Sequence, residues 1–182
     1  IIGTQGMLGR DLATRLPILP ESSFPCIEVI AANHGLVDIT HGPNTSKFIG
    51  QITPDIIVNC AAFTNVDACE TQISEAFAVN ATGTKNVALA GKETGAKVIH
   101  ISTDYVFDGT RNGPYSETDK PNPISVYGKS KLEGEREIQE ISDNYTIVRT
   151  AWLYGPHRKT FVTTMLELGR KNRSVSVVTD QH

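Results

Sequence analysis

The sequence is short of the features that would direct it to a metal, a membrane or a nucleic acid. Its three cysteines, Cys26, Cys60 and Cys69, have neither metal-ligand spacing nor the density of a disulfide framework. They read as small apolar residues in a reducing, cytoplasmic setting. A surplus of one charge is lacking too, since 17 Lys and Arg stand against 20 Asp and Glu, a formal net charge of −3. Nothing in that balance favours a nucleic-acid partner or an anionic membrane surface. No apolar run approaches the roughly 18 residues of a membrane span, and no charged start with an apolar stretch resembles a signal peptide. Internal repeats and low-complexity tracts are missing as well. The chain has no initiator methionine, begins with Ile1-Ile2 directly before a glycine-rich turn, and stops after the strand-like Val175 to Thr179. It is expected to be a fragment.

What is present suits a globular α/β domain. With 182 residues, 39% of them hydrophobic, the chain can bury a full core. Short β-branched runs alternate with longer helical patterns, the signature of βαβ units around a parallel sheet. Strands are expected at Ile1-Ile2, Ile27 to Ala32, Ile56 to Asn59, Lys97 to Ser102, Thr146 to Arg149 and Ser174 to Val178. Helices are expected at Met7 to Leu16, Glu75 to Glu93, Ser125 to Ile141 and Phe161 to Lys171. Loops fit the proline-rich, polar segments Pro17 to Pro25 and Thr110 to Pro123.

Gly3-Thr-Gln-Gly6-Met-Leu-Gly9 sits between the first strand and the first helix. Glycines there allow a tight turn and close backbone approach, while the helix aims free N–H groups and its positive end at a pyrophosphate. An ordinary glycine-rich turn has the same letters. After the second strand stands Ala32-Asn33-His34, with neither the acid that favours NAD nor an arginine for NADP. Asp38, in Val37-Asp38-Ile39, is a candidate to reach an adenine from the sheet edge, and equally a capping or solvated loop aspartate.

Tyr127 and Lys131 lie four residues apart, on one face of the third predicted helix, with Lys129 off that face. A neighbouring ammonium is expected to lower the phenol pKa from about 10, so that Tyr127 can trade a proton with a substrate oxygen. An exposed pair on an amphipathic helix satisfies the spacing too. Thr103 adds context: it follows Val98-Ile-His-Ile-Ser102 at a carboxyl strand end, where ligands bind in open α/β sheets. Its hydroxyl can orient a carbonyl or merely satisfy local backbone.

Five segments occur in order: the glycine turn, Asn59-Cys-Ala-Ala62, Ser102-Thr-Asp-Tyr-Val-Phe-Asp-Gly109, Tyr127-Gly-Lys-Ser-Lys131 and Arg149-Thr-Ala-Trp-Leu-Tyr-Gly155. Together they resemble the extended short-chain dehydrogenase/reductase family, and within it the dTDP-4-dehydrorhamnose reductases. The likeness runs over essentially the whole chain. It implies a Rossmann-type doubly wound parallel sheet over 1–173, with 174–182 beginning a smaller C-terminal substrate domain that is largely absent. It also implies NADPH or NADH, with Gly3, Gly6, Met7 and Leu8 at the pyrophosphate and Asp38 and Ile39 beside the adenine. Ala62, Phe63 and Thr64 would line the cofactor further along. Thr103, Tyr127 and Lys131 match the catalytic group, Asp104 and Trp152 match positions touching a dTDP-sugar, and Asn80 matches an asparagine supporting the lysine through water. A homodimer, and Mg²⁺ at its contact, belong to the same resemblance. The implied reaction is reduction of the C4 ketone of dTDP-4-dehydro-6-deoxy-L-mannose to dTDP-L-rhamnose.

Two departures from kindred families narrow the choice. Sugar-nucleotide dehydratases follow the threonine with an Asp-Glu pair, whereas Asp104 here precedes Tyr105. Epimerases favour serines at this strand end and lack the Asp-Tyr-Val-Phe block. The rival class is a non-catalytic NADP-binding partner, resembling the regulatory β subunit of methionine adenosyltransferase. The Arg149 to Gly155 segment and Thr179-Asp-Gln181 look more like the reductases.

Overall fold

The computed structural model describes residues 1–18, 27–172 and 174–177. Helix α1 (Met7–Arg15) follows the glycine turn and tightens into a 3₁₀ turn at Leu16–Ile18. Helix α2 (Gly42–Ile52) leads to strand β1 (Ile56–Asn59). Helices α3 (Val66–Thr71) and α4 (Ile73–Phe77) come next, then a π-helical segment (Ala78–Gly83) that runs into α5 (Thr84–Thr94). Strand β2 (Lys97–Thr103) ends in a 3₁₀ turn at Asp104–Val106. Helix α6 (Val126–Ile141), strand β3 (Tyr145–Thr150) and helix α7 (Phe161–Lys171) complete the described elements.

Strands β1, β2 and β3 pair in parallel in that order, with Asn59 opposite His100 and Thr103 opposite Thr150. Ile2 bridges in parallel both to Ala32 and to Asn59. The sheet therefore runs Ala32, Ile2, β1, β2, β3, and the chain reverses its direction of travel across the sheet at Ile2. That reversal opens a crevice at the carboxyl ends of Ile2 and β1, the usual ligand site of a doubly wound sheet. Helices α5 and α6 cover the strands, with α2 packed on α5. The apolar core joins Ile2, Val37, Ile39, Ile49, Ile57, Val87, Val98 and Ile138. The Rossmann-type reading of the sequence holds.

Particular boundaries differ. The expected strand at Ile27 to Ala32 is reduced to a bridge at Ala32, whose N–H donates to Ile1 O and whose carbonyl accepts from Gly3 and Thr4 N–H, with the Ile1 nitrogen donating to Ile30 O. The expected helix at Glu75 to Glu93 starts at Ile73 and is divided by the π-helical segment. Ser125 lies outside α6 and caps it, its hydroxyl accepting from Gly128 N–H at 3.1 Å. Of the final expected strand, Ser174 to Val177 have no assigned ladder among the described residues, and Val178 lies outside them. Most of the Pro17 to Pro25 loop and Cys26 also lie outside. Helix α2 escapes sequence reading because Gly42, Pro43, Asn44 and Gly50 are poor helix formers. The His41 ring, accepting from Asn44 N–H, and burial of Thr45 and Ile49 secure it. Helix α3 is six residues long and depends on its Asn65 cap.

Beneath the sheet's carboxyl end, Glu135 of α6 is buried and accepts from Arg149 Nη2 at 2.6 Å and Nε at 3.0 Å. Removing one partner of a buried ion pair strands the other charge. Arg149 keeps some water contact, so Arg149→Met is expected to destabilise by about 3 kcal/mol. A urea unfolding midpoint unchanged from the parent would contradict this.

Candidate active site

The glycine turn presses against the end of β1. Gly3 has φ +85°, and a Cβ on it would meet Ala61 N at 2.6 Å. A Cβ on Gly9 would lie 2.5 Å from Gly3 O, so both positions are closed by packing. Gly6 meets only Gly3 O, at 3.2 Å, and caps α1 without any side-chain hydrogen bond. Its N–H closes the turn by donating to Gly3 O at 3.0 Å, and the N–H groups that follow at Met7 and Leu8 begin the positive end of a nine-residue helix, a cradle for an anion.

A cleft of about 520 Å³ opens there. Its walls include Gly3, Gly6, Asp38, Ile39 and Ala62, five of the expected cofactor positions. Met7 and Leu8 follow Gly6 in the first turn of α1, and Phe63 and Thr64 follow Ala62, outside the cleft lining itself. Asp38 is fixed by its own loop: its Oδ1 accepts from Thr40 N–H at 2.9 Å and Thr40 Oγ1–H at 2.7 Å, which lowers its pKa. Sequence reading missed Gln5, His34, Glu75, Val79 and Arg158 in the cleft wall. Arg158 in particular arrives from the segment after β3, far in sequence from the corner where an arginine was sought.

The π-helical segment has a job at this cleft. Asn80 is buried, accepts from Phe63 N–H at 2.8 Å, and donates to Phe63 O at 3.1 Å and Ser130 Oγ at 2.9 Å. It ties the Ala62 to Thr64 loop to α6, next to Lys131. Such helical bulges recur at functional sites because the extra residue re-aims one side chain.

The second cluster lies at the end of β2. Thr103 Oγ1 accepts from Tyr105 N–H at 3.2 Å and donates to the exposed Asp104 carboxylate at 3.0 Å. The Tyr127 phenol lies near enough to Thr103 for that hydroxyl to influence its pKa, and its ring meets Tyr105 edge to face at 5.5 Å. Helix α6 comes this close because residue 128 is glycine: a Cβ there would lie 2.1 Å from Tyr105 O. Burial pushes the Tyr127 pKa up, and the nearby Asp104 adds to the shift, while the Thr103 hydroxyl opposes it.

The expected depression of the Tyr127 pKa by Lys131 is thus corrected. Lys131 is on the same helix and buried, but its Nζ donates to Ile101 O at 2.7 Å and lies 3.0 Å from His100 Nε2. The amino group is directed under the strand instead of toward the phenol. Burial pushes the Lys131 pKa down to about 8, against the opposing pull of Glu135 and Cys60.

Around the Asp-Tyr-Val-Phe-Asp-Gly block, Asp108 acts as a loop staple. Its carboxylate accepts from Thr110 N–H and Oγ1–H, Tyr115 O–H and Asn122 Nδ2–H, with Oδ1 to Tyr115 at 2.9 Å. These bonds hold its pKa well below the usual carboxylate range. Phe107 stacks on Tyr115 at 4.2 Å and lies under the Arg149 guanidinium at 5.1 Å. Trp152 follows β3 with φ 52°, a left-handed conformation rare for a bulky residue, and is 57% exposed beside Phe161. It stands apart from Thr103 and Tyr127 in the chain, and its own ring contact is Phe161. Among the described residues no group of three His, Cys, Asp or Glu could hold a metal ion, and no helix is long and apolar enough to cross a membrane.

A parallel sheet with its crevice at a glycine turn, and a Tyr–Lys helix beside a strand-end threonine, define a dinucleotide-binding fold of the short-chain dehydrogenase/reductase type. The chain belongs to the RmlD substrate binding domain family, whose profile matches residues 1–182. It is 40% identical over 181 residues to a dTDP-4-dehydrorhamnose reductase of Aggregatibacter actinomycetemcomitans, covering 100% of this chain and 60% of that protein. A Sinorhizobium fredii enzyme of the same name is 44% identical over 163 residues, 90% of this chain and 55% of that one. The structure is similar, with a TM-score of 0.91 and 40% identity, to a Bacillus anthracis dTDP-4-dehydrorhamnose reductase in complex with NADP, over 99% of this chain and 62% of that one. The chain spans about 60% of the length of such relatives.

Lys131 makes stability depend on pH in a defined direction. Its folded pKa of about 8 lies below the ordinary 10.5, so the unfolded chain holds the proton more tightly. Stability from this group is therefore lower below pH 8 and rises as pH climbs from 8 toward 10.5. Between pH 7 and 9 the gain is about 1 kcal/mol. Cys60, pushed up to about 11 by burial, opposes it above pH 9. Urea unfolding should show the rise in the parent and not in Lys131→Met; parallel pH curves would contradict the assignment.

Proposed function

We propose that the protein carrying this chain reduces the C4 ketone of dTDP-4-dehydro-6-deoxy-L-mannose to dTDP-L-rhamnose, using NADPH or NADH. The observation that carries this reading is the placement of Tyr127, on the first turn of α6, beside Thr103 and Tyr105 at the sheet's carboxyl end, with Lys131 one helical turn on and the glycine cleft close by. The names of the relatives, and the NADP bound by the Bacillus anthracis protein, support the substrate and cofactor classes. In this reading residues 1–173 are the nucleotide-binding domain and 174–182 begin the substrate region.

The cleft fits a dinucleotide, because the close packing of Gly3 and Gly9 brings the positive start of α1 to its wall. When bound, the nicotinamide supplies hydride to C4. The N–H groups of Met7 and Leu8 would hold the pyrophosphate, with Gly3 and Gly6, joined by the bond from Gly6 N–H to Gly3 O, shaping the turn against it. Asp38 and Ile39 border the adenine, and Ala62, Phe63 and Thr64 flank the cofactor beyond. Lys131, which in this structure rests on Ile101 O, would bond the ribose hydroxyls as an ammonium. Tyr127 gives its proton to the developing alkoxide while Thr103 orients that oxygen. A phenol whose pKa burial has raised remains protonated at neutral pH, as an acid must. Asp104 and Trp152 contact the sugar nucleotide.

NADPH oxidation by the complete protein with the sugar nucleotide tests the reading. Tyr127→Phe should lower kcat by about 10²- to 10⁴-fold while leaving NADPH affinity within about twofold. Full turnover by that variant would remove Tyr127 from the mechanism. The homodimer and the Mg²⁺ ion belong to the same reading, and light scattering with and without a chelator checks both.

A further inference from the structure

A buried chain of hydrogen bonds behind the proposed catalytic cluster has only one consistent polarity. Its first member, Ala61 N–H, can only donate, and it meets Asn59 Oδ1 at 3.2 Å. The Asn59 amide nitrogen is thereby turned to His100 Nδ1, at 3.3 Å, and also can only donate. His100 must then accept at Nδ1 and carry its single proton on Nε2. A doubly protonated ring would face the Asn59 donor with another donor. The Nε2–H points at Lys131 Nζ, 3.0 Å away. An ammonium has no lone pair and cannot accept that bond, whereas an amine can, while still donating to Ile101 O at 2.7 Å.

We propose that His100, held by Asn59 as the Nε2–H tautomer, is a positioning residue that gives Lys131 a resting place as the uncharged amine. The proposal rests on the reductase reading of Tyr127 and Lys131. In that reading the reaction draws one proton from the site. Tyr127 loses it to the alkoxide oxygen, and the phenolate takes a proton from the Lys131 ammonium. The amine so formed keeps its lone pair, which accepts the His100 N–H, and a solvent proton later restores the ammonium. No electrons move in these steps.

The surroundings agree with this assignment. Asn59, His100 and Lys131 are all buried at 1% exposure or less, so water does not supply an alternative partner cheaply. Burial holds the His100 pKa well below its ordinary value, which keeps the ring neutral. The other titratable groups facing Lys131 are Glu135 on its own helix and Cys60 after β1. Glu135 is already neutralised by Arg149 of β3 and bonded by Ser102 Oγ–H at 2.5 Å. The carboxylate's demand for a counter-charge is met without the lysine.

Two NMR readouts on the full chain test the proposal without relying on turnover. Ring ¹⁵N shifts should show His100 as the Nε2–H tautomer above pH 8, where Lys131 is the amine; an Nδ1–H tautomer or an imidazolium there would overturn it. Asn59→Asp, nearly isosteric, offers His100 Nδ1 an acceptor and should switch the ring to Nδ1–H, leaving Nε2 free to accept from an ammonium. The Lys131 ¹³Cε titration should then move up by at least one pH unit. A Lys131 midpoint that moves without the tautomer switch would reduce the effect to plain charge and sink the proposal. In the complete protein, the alkaline limb of the kcat profile should shift by the same amount in Asn59→Asp; a fixed limb would deny His100 its part in the reaction. Absence of turnover in the parent at every pH would overturn the reductase reading, and the tautomer measurement would still decide the resting place of Lys131.

Discussion

The register of helix α6 on strand β2 is the constraint on which the rest of the site depends. Alternate residues of β2 face the helix: Val98 is apolar, but His100 and Ser102 are polar and buried. Two residues along a strand span about 6.6 Å, and four along a helix about 6 Å. His100 and Ser102 therefore meet Lys131 and Glu135 as two matched rungs, His100 to Lys131 at 3.0 Å and Ser102 to Glu135 at 2.5 Å. A shift of α6 by one turn would leave four buried polar groups with wrong partners, each a cost of about 1–3 kcal/mol or more. Once these rungs are set, Tyr127 has only one place to be, one turn earlier, against Thr103. The same geometry explains why residue 128 must lack a side chain, since the first turn of α6 is drawn onto the carbonyl of Tyr105.

Much of this was legible in the sequence, and what was not has physical reasons. Strand β1 and helix α7 fall on their expected residues, because β-branched runs and a capped amphipathic stretch are strong local signals. The glycine turn was readable because Gly3 and Gly9 are demanded by close backbone packing, on Ala61 and on Gly3 itself. Tyr127, Lys131 and Thr103 were singled out by spacing and strand-end position, yet the direction in which Lys131 points was not legible. That direction depends on Ile101 O and His100, partners 30 and 31 residues away. His100 itself passed unnoticed inside an apolar strand pattern. The available signal was parity: a histidine and a serine two apart on a buried strand imply polar partners on whatever covers them.

The π-helical segment illustrates a second kind of illegibility. Propensity predicts one uninterrupted helix across Ala78 to Gly83, and local energetics alone favour it. The interruption exists because Asn80, otherwise a buried amide without a partner, gains three bonds to Phe63 and Ser130. Tertiary satisfaction of one polar side chain overrides the local preference of six residues. No window of sequence that excludes Phe63 and Ser130 contains the cause.

Asn59 joins the two halves of the site. One end of its amide fixes Ala61, which together with Cys60 and Ala62 lines the cleft, and the other end fixes the tautomer of His100 under Lys131. An amide can serve both only in one orientation, because its oxygen must face the backbone N–H. Backbone direction at the mouth of the cleft thus sets the proton inventory beneath the lysine. This also accounts for a feature that burial alone does not: the lysine's most direct neighbour is a neutral ring instead of a carboxylate. A carboxylate at that position would hold the ammonium in place and oppose its movement toward the cleft. A neutral N–H donor favours the amine only, so the ammonium is free to leave when a ligand with hydroxyl acceptors is present.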